Sequence, residues 1–342
     1  MFYYAVSQIS WLLKAAKKLP AGAFISVISL PCLSHPYTQC ATTAIPAYTG
    51  LIALWGKSHL DDLLTQKRSP EHRTEIAITP RVSCGGNRLM LVAGPCSVES
   101  EEQMQECGDV LSKAPVQALR GGVFKPRTSP YSFQGLGEEG LQILVETGKQ
   151  HGMPVIAEVM SAKQLEEAHD SLDVLQIGSR NMQNFELLKE VSLTKKPVLL
   201  KRGLAATIEE FLMAAEYIMA GGNPNVILCE RGIRSFDSMT RNVLDLGAVA
   251  VLKQMTHLPV IVDPSHAAGR CELIADLARA AVACGADGVM IECHPQPQKS
   301  ISDARQALSL EEMTELVKSL AAVAAAVGRE VSVVSEQPIV AK

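Results

Sequence analysis

From residue 89 onward, short apolar runs alternate with longer amphipathic segments. The runs begin near residues 89, 118, 154, 174, 197, 226, 259 and 288, and they include "LMLVAGP", "PVIAEVM" and "GVMIECH". Polar residues do not alternate with apolar ones inside the runs, which indicates strands that are buried on both faces and therefore a parallel sheet. The regular spacing is typical of one strand and one helix per unit.

The segments between the runs have the pattern of amphipathic helices. In the segment 138–152, Leu141, Leu144 and Val145 recur at helical spacing. Capping boxes, in which a hydroxyl residue precedes Glu or Gln by three positions, mark helix starts. They predict three starts, at Ser161 with Gln164, at Thr207 with Glu210 and at Ser309 with Glu312.

Eight strand–helix units predict a (β/α)8 TIM barrel over residues 75–330, close to the roughly 250 residues that are typical of this fold. A doubly wound open sheet is the alternative, but it usually has fewer strands, and no glycine-rich dinucleotide fingerprint follows the first run. The segment "EIAITPRVSCGGNRLML" predicts a β-hairpin: a strand ahead of the barrel, a turn at Gly85 and Gly86, and then the first barrel strand. We expect this hairpin to close the N-terminal mouth, and residues 331–342 to form a C-terminal tail.

The first 74 residues form an atypical N-terminal extension. They contain lysines but no acidic residue before Asp61, and prolines interrupt the apolar stretch that follows Leu19. Because no run of about 18 apolar residues is uninterrupted, a membrane span is not predicted. We interpret the extension as a partly disordered segment or a remnant domain. A signal peptide is the alternative, since lysines, an apolar segment and small residues follow one another.

Composition narrows the classes of function. The net charge of −4 provides no basic footprint for a nucleic acid, so any anion must be bound by cations that are concentrated locally. The nine cysteines have neither the spacing of a disulfide scaffold nor that of a zinc ribbon. We therefore expect a reduced, cytoplasmic protein.

Basic side chains gather where the predicted strands end. The active site of a TIM barrel lies at the C-terminal ends of its strands. Cations that meet there repel one another unless they bind anions, and Arg and Lys are the usual ligands of phosphate and carboxylate groups. For any single residue, a solvated surface charge is the alternative. The predicted anion-binding set is Arg120, Lys125, Arg127, Arg180, Lys201 and Arg231.

A second set of residues combines sulfur, imidazole and carboxylates. Cys96 follows the first strand, His266 follows the seventh, and Glu292 and Asp303 follow the eighth. The first and eighth strands of a closed barrel are neighbours, so these four side chains can meet. Together they suit a divalent ion such as Mn, Fe, Co or Zn. For Cys96 alone, packing in the core is the simpler interpretation.

Seven motifs in chain order, each at a strand end, carry a family resemblance. They are "AGPCSVES", "KPRTSPYSFQG", "IGSRNMQNF", "LLKRG", "CERGIR", "VDPSHAAG" and "IECHP" with a later "SDA". Together they resemble 3-deoxy-D-arabino-heptulosonate 7-phosphate (DAHP) synthase, in its type I beta, octulosonate-synthase-like branch. The resemblance runs from about Ile76 to Glu330. It implies a transferase that condenses phosphoenolpyruvate with erythrose 4-phosphate and releases phosphate, in the first step of the shikimate pathway.

The resemblance also implies a role for each matching residue. Arg127 and Thr128 would contact the phosphate of the four-carbon sugar. Lys125, Cys96 and His266 are the predicted catalytic residues. The implied metal ligands are Cys96, His266, Glu292 and Asp303. The implied contacts to phosphoenolpyruvate are Arg120, Lys125, Arg180, Lys201 and Arg231.

The chemistry implied by the family needs both sets of residues. A divalent metal would make the aldehyde electrophilic, and the cations would hold two anionic substrates in register. The sequence leaves open whether Lys125 or a water near the metal handles the protons. We further expect a homo-oligomer, either a dimer or a tetramer.

Two other functions remain as alternatives. One is 3-deoxy-octulosonate 8-phosphate synthase, which acts on arabinose 5-phosphate and has an Ala-Asn-Arg-Ser-Ser-like segment where this chain has "KPRTS" at Lys125–Ser129. The other is a non-catalytic barrel, which would lack a metal ligand or a cation. Relatives often carry a ferredoxin-like regulatory domain or a chorismate mutase domain. The extension contains at most a fragment of the former, and no segment resembles the latter.

Overall fold

The computed structural model of the chain describes residues 63–125 and 129–333. Most of the N-terminal extension, the predicted site residues Arg127 and Thr128, and the end of the C-terminal tail lie outside the described residues. The described strands are β1 (Ile76–Thr79), β2 (Val82–Cys84), β3 (Met90–Gly94), β4 (Ala118–Arg120), β5 (Val155–Glu158), β6 (Val174–Ile177), β7 (Val198–Lys201), β8 (Val226–Glu230), β9 (Val260–Val262), β10 (Gly288–His294) and β11 (Leu308–Ser309).

Strands β3 to β10 form a closed parallel barrel. Each of them pairs with the next along the chain, and β10 also pairs with β3, so that Glu292 lies opposite Gly94. This closure confirms the TIM barrel and excludes the open sheet. Each strand begins within one residue of the predicted run, because strands that are buried on both faces are marked by apolar residues alone.

Helices cover the outside of the barrel between the strands. They are α1 (Glu101–Leu111), α2 (Glu138–His151), α3 (Ala162–Ala168), α4 (Phe185–Leu193), α5 (Ile208–Ala220), α6 (Leu246–Met255), α7 (Pro264–Ala268), α8 (Ile274–Ala283) and α9 (Leu310–Ala326). Reciprocal capping boxes start α5 at Thr207 and α9 at Ser309, as predicted. Ser161 caps α3, but the Gln164 side chain accepts from Met160 N instead of Ser161 N. None of the helices within the described ranges is long and apolar enough to span a bilayer.

Alternate residues of each barrel strand face two separate apolar layers. In β3, Leu91 and Ala93 face the surrounding helices, whereas Met90 and Val92 face the barrel interior. The interior is packed with side chains, as is usual in TIM barrels. It contains Met90, Val92, Ala118, Ile156, Val174, Leu199, Ile227, Cys229, Ile261 and Met290.

A hairpin precedes the barrel, but its predicted turn and second strand are wrong, because β1 pairs with β2 and not with the first barrel strand, β3. Strands β1 and β2 pair antiparallel, with Ile76 opposite Cys84, so the chain turns between Thr79 and Val82. Gly85 instead follows the hairpin with φ at +104°, and a Cβ placed there would lie 2.2 Å from Thr74 O. Gly85 therefore permits a close approach of two backbones. Ile76 and Cys84 join the interior apolar layer, which agrees with a hairpin that closes the N-terminal mouth.

The segment before β1 lies against the barrel through backbone hydrogen bonds. Thr65 N donates to Glu216 Oε2 at 3.0 Å, and Thr256 Oγ1 donates to Thr65 O at 2.6 Å. Further along, Thr74 N donates to His257 O at 2.9 Å. The described end of the extension is thus fixed to α5 and to the residues that follow α6.

Candidate active site

A cavity of about 530 Å³ opens at the C-terminal ends of the barrel strands. This is where the sequence predicts the active site. The basic residues that line it come from the ends of four strands and the loops that follow them. They are Arg120, Lys125, Arg180, Lys201, Arg231, Arg234 and Arg241. Five of these belong to the predicted anion-binding set; the sixth member, Arg127, lies outside the described residues.

Two guanidinium groups in this cavity keep a nitrogen without a hydrogen-bond partner. Arg120 Nε and Arg231 Nη1 are both buried, and neither is bonded to any of the described residues. Leaving such a donor unpaired costs on the order of 1–3 kcal/mol, and more when the group is charged. Burial also lowers the pKa of Arg231. An anion in the cavity would provide acceptors for such donors, so the unpaired donors and the cationic lining favour an anionic ligand.

The four predicted metal ligands meet beside these cations. Cys96 follows β3, His266 lies in α7, Glu292 lies in β10, and Asp303 precedes a short 3-10 turn. One donor atom of each residue lies within 4.8 Å of those of the other three. The pairing of β10 with both β3 and β9 brings these elements together.

The environment of the cluster has opposite effects on the pKa values of Glu292 and Cys96. Burial alone would raise the pKa of Glu292, but His266, Arg120 and Lys125 outweigh it and lower the pKa to about 2. Burial, together with the charge of Glu292, raises the pKa of the Cys96 thiol to about 12. A thiol with this pKa loses its proton readily only when a metal ion displaces the proton. The mixed sulfur, nitrogen and oxygen donors therefore fit a borderline divalent ion.

Lys125 connects the metal cluster to the cationic cavity. Its Nζ lies 3.0 Å from Cys96 Sγ and 2.8 Å from Cys96 O. Cys96 Sγ in turn lies 3.2 Å from Asp303 Oδ2. An ammonium group at this position can donate a proton or a hydrogen bond at the boundary between the two sets.

Asp263 is a functional residue that the sequence analysis did not assign. It is fully buried, and its Oδ2 accepts from both Lys201 Nζ, at 2.5 Å, and His266 Nδ1, at 2.7 Å. Burial would raise its pKa, but His266 and Lys201 outweigh it and hold the pKa well below the usual range. Burial lowers the pKa of His266, which favours the neutral ring that a metal needs. Asp263 thus joins a metal ligand to an anion-binding lysine.

Two further residues, Arg241 and Gln306, touch the metal cluster and were also missed. Arg241 Nη1 lies 3.4 Å from Asp303 Oδ1 and 3.1 Å from Gln306 Oε1. Gln306 Nε2 donates to Glu292 Oε2 at 2.5 Å. Arg241 lies in an irregular loop and Gln306 ends the short 3-10 turn after Asp303, and neither segment has a periodic pattern that marks these residues.

The sequence is similar to those of known proteins. A sequence model of the DAHP synthetase I family matches residues 71–327. The phospho-2-dehydro-3-deoxyheptonate aldolase of Thermotoga maritima is 49% identical over 251 residues, which is 73% of this chain and 74% of that protein. The 2-dehydro-3-deoxyphosphooctonate aldolase of Nitrobacter hamburgensis is 34% identical over 72% of this chain and 94% of that protein.

Solved structures of similar sequence share the fold. The crystal structure of the Thermotoga maritima DAHP synthase superposes with a TM-score of 0.76, at 46% identity, over 79% of this chain and 78% of that one. A truncated form of the Thermotoga maritima synthase superposes with a TM-score of 0.73, at 43% identity, over 79% of this chain and 98% of that one.

Proposed function

Because the chain belongs to the DAHP synthetase I family, we propose that Cys96, His266, Glu292 and Asp303 hold a divalent metal ion beside a phosphoenolpyruvate site. The protein is a 3-deoxy-7-phosphoheptulonate synthase. It condenses phosphoenolpyruvate with erythrose 4-phosphate, releases phosphate, and catalyses the first step of the shikimate pathway to chorismate and the aromatic amino acids.

The two unpaired guanidinium nitrogens are the observation that carries the phosphoenolpyruvate site. Arg120 Nε and Arg231 Nη1 need an anionic acceptor, and Lys201 and Arg180 line the same cavity. Phosphoenolpyruvate carries a phosphate and a carboxylate, which Arg forks and a Lys point charge bind well. These cations would hold the enol carbon facing the metal cluster, so part of the rate enhancement comes from positioning.

The four-ligand cluster is the proposed metal site, for Mn, Fe, Co or Zn. A bound divalent ion would act as a Lewis acid on the aldehyde carbonyl. The chain itself contributes the ligands and their orientation: Asp263 fixes the His266 ring, and Arg120 holds Glu292 Oε1 at 2.6 Å. Lys125, within 3.0 Å of Cys96 Sγ, is our proposed proton donor.

The sugar phosphate is assigned to Arg127 and Thr128. Both follow β4 in the "KPRTS" segment, between Lys125 and Ser129, which line the cavity on either side of them. An arginine and a hydroxyl are side chains that commonly bind phosphate. We also retain a cytoplasmic location and a homodimer or homotetramer as predictions.

The second candidate function is 3-deoxy-octulosonate 8-phosphate synthesis. It is favoured by the resemblance to phosphooctonate aldolases, such as that of Nitrobacter hamburgensis at 34% identity. Phosphate release should be measured with phosphoenolpyruvate plus either erythrose 4-phosphate or arabinose 5-phosphate. Release with the four-carbon sugar supports the proposed substrate, release only with the five-carbon sugar supports the alternative, and no release with either would indicate a non-catalytic barrel.

A further inference from the structure

We propose that Gln306 and Arg241 are positioning residues that hold the Glu292 and Asp303 carboxylates at metal-binding distance. The inference rests on the proposed metal site and extends it to residues that do not bind the ion themselves. Two carboxylates that share one ion repel each other until the ion arrives. A site that binds tightly therefore needs other groups to hold both carboxylates in place beforehand.

Gln306 reaches one of these carboxylates directly. Its side chain is buried, at 2% exposure, and both of its polar atoms are paired. Nε2 donates to Glu292 Oε2, and Oε1 accepts from Arg241 Nη1. Because Arg120 donates to the other oxygen of Glu292, the two bonds fix the rotation of this carboxylate.

Gln306 also closes the turn that presents Asp303. Asp303 has φ at +55°, in the left-handed region that non-glycine residues seldom adopt. The backbone N–H of Gln306 donates to Asp303 O at 3.0 Å, which stabilises this turn. One residue therefore contacts the backbone of one metal ligand and the side chain of another.

Arg241 supplies a positive charge beside Asp303 and holds Gln306. The same nitrogen, Nη1, donates to Asp303 Oδ1 and to Gln306 Oε1. Its backbone is fixed as well, because Arg241 N donates to Ala268 O at 3.0 Å. Gly269 permits this approach: it has φ at +67°, and a Cβ there would lie 2.7 Å from Arg241 Cβ.

The adjacent Asn242 extends the same arrangement to a third ligand. Asn242 Nδ2 donates to His266 O at 3.0 Å, and Asn242 N donates to Ala267 O at 2.8 Å. The loop after β8 thus contacts the elements that carry His266 and Asp303, and through Gln306 it contacts Glu292. Residues that orient metal ligands in this way typically change metal affinity by about 10–100-fold when they are replaced.

The test compares metal binding by variants of the full chain. Gln306→Met keeps the length of the side chain but removes both hydrogen bonds. Gln306→Glu keeps its shape and the bond from Arg241, but it places a second carboxylate against Glu292. We expect Gln306→Met to weaken Co²⁺ binding by roughly 10–100-fold, and Gln306→Glu to weaken it at least as much. If Gln306 merely filled space, Gln306→Met, which keeps its length, would bind the ion as well as the wild type does.

Arg241→Gln tests the charge, and Arg234→Gln is its matched control. Arg234 lines the same cavity from the same loop, but it makes no contact with the ligand set in the described structure. We expect Arg241→Gln to weaken Co²⁺ binding by roughly tenfold and Arg234→Gln to change it by less than about twofold. Titration calorimetry gives the affinities, and the sulfur-to-cobalt absorption band reports whether Cys96 binds the ion.

The outcomes separate this inference from the proposed metal site. Wild-type protein that binds no Co²⁺ would overturn both. Wild-type binding with unchanged affinity in the Gln306 and Arg241 variants would overturn the positioning role alone. A thermal unfolding midpoint measured without metal shows that each variant is folded. Equal weakening by Arg241→Gln and Arg234→Gln would also count against the proposal, because it would indicate a general effect of cavity charge.

Discussion

Asp263 Oδ2 lies 2.7 Å from His266 Nδ1, so the ring turns its other nitrogen, Nε2, toward Glu292 Oε1 at 3.3 Å. The Asp263 carboxylate accepts hydrogen bonds from both His266 and Lys201. An asparagine amide in its place would be neutral and would lack the negative charge that these two groups face. We therefore expect Asp263→Asn to weaken metal binding by about 10–100-fold. Asp173→Asn, at the opposite end of the barrel, serves as the control and should leave metal affinity unchanged. Calorimetry on the two folded variants decides the matter.

Metal dependence is the second prediction. A chelator should abolish turnover, and added divalent metal should restore it. Cys96→Ala should weaken metal binding strongly with little loss of fold, because the thiol is one of the four proposed ligands. Cys293→Ala is the matched control, since Cys293 is equally buried but faces the outer apolar layer. Full activity of metal-free Cys96→Ala protein would disprove the ligand assignment.

The third prediction concerns the length of the sugar. Proline restricts the backbone, so from the sequence we expect Pro126 and Pro130 to stiffen the segment that carries Arg127 and Thr128 and to fix the distance between a bound phosphate and the aldehyde. Arabinose 5-phosphate is one carbon longer and should lose a charge-assisted contact worth about 1.5–3 kcal/mol. We expect at least roughly tenfold higher kcat/KM with erythrose 4-phosphate, in proportion to that energy. Arg127→Ala should raise KM for the sugar far more than for phosphoenolpyruvate; steady-state kinetics with equal efficiency for both sugars would contradict this.

Two truncations test the role of the extension. A chain that starts at residue 63 keeps the bonds to Glu216, Thr256 and His257, whereas one that starts at residue 75 loses them. We expect the shorter chain to remain active and to lack tight inhibition by aromatic amino acids. Loss of these hydrogen bonds should lower its unfolding midpoint by about 5–10 °C relative to the longer chain. Identical midpoints would show that the segment contributes nothing to stability.

The contact between this segment and the barrel should weaken in acid. The His257 ring stacks on His72 at 4.2 Å, with Arg68 and Glu216 nearby. Burial lowers the pKa of His257 from its usual 6.5, and the charges of His72 and Arg68 lower it further. The hydrogen bond to Leu64 O raises the pKa but does not outweigh these effects. The bound segment therefore takes up fewer protons than the released one. The contribution of neutral His257 to this contact is fully present above about pH 6.5 and is lost as the pH falls through the lowered pKa.

Hydrogen exchange of residues 63–74 measures this effect. Exchange should accelerate at about pH 5.5 relative to about pH 7.5, after correction for the intrinsic rates. In His257→Gln, which cannot titrate, the difference should largely disappear. A difference that persists unchanged in the variant would assign the pH dependence to another group.

The sequence predicts the barrel and the meeting of Cys96, His266, Glu292 and Asp303 because both depend on simple rules. Fully apolar strands appear as runs, and functional groups lie at the carboxyl ends of those runs. Cys96 and Asp303 are 207 positions apart, yet the closure of a barrel is enough to predict that they meet.

The supporting residues are harder to predict because loops have no periodicity. Arg241 and Gln306 reach the metal ligands through side-chain geometry that depends on the exact paths of two irregular segments. The hairpin turn was misplaced for a related reason: Gly85 is required by the proximity of Thr74, which no local pattern reveals. Arg127 and Thr128 stay predictions.

The pairing of β10 with β3 joins the two ends of the barrel, and the ligand cluster lies on that seam. Cys96 belongs to the first strand–helix unit, whereas Glu292 and Asp303 belong to the last. An ion bound by all of them would therefore link the first and last units, and it could bind only when the barrel is closed. At a metal concentration a hundred times the dissociation constant, binding of such an ion to the folded state adds about 2.7 kcal/mol to the free energy of unfolding. Removal of the metal would then destabilise the barrel where β10 pairs with β3, as well as abolish catalysis.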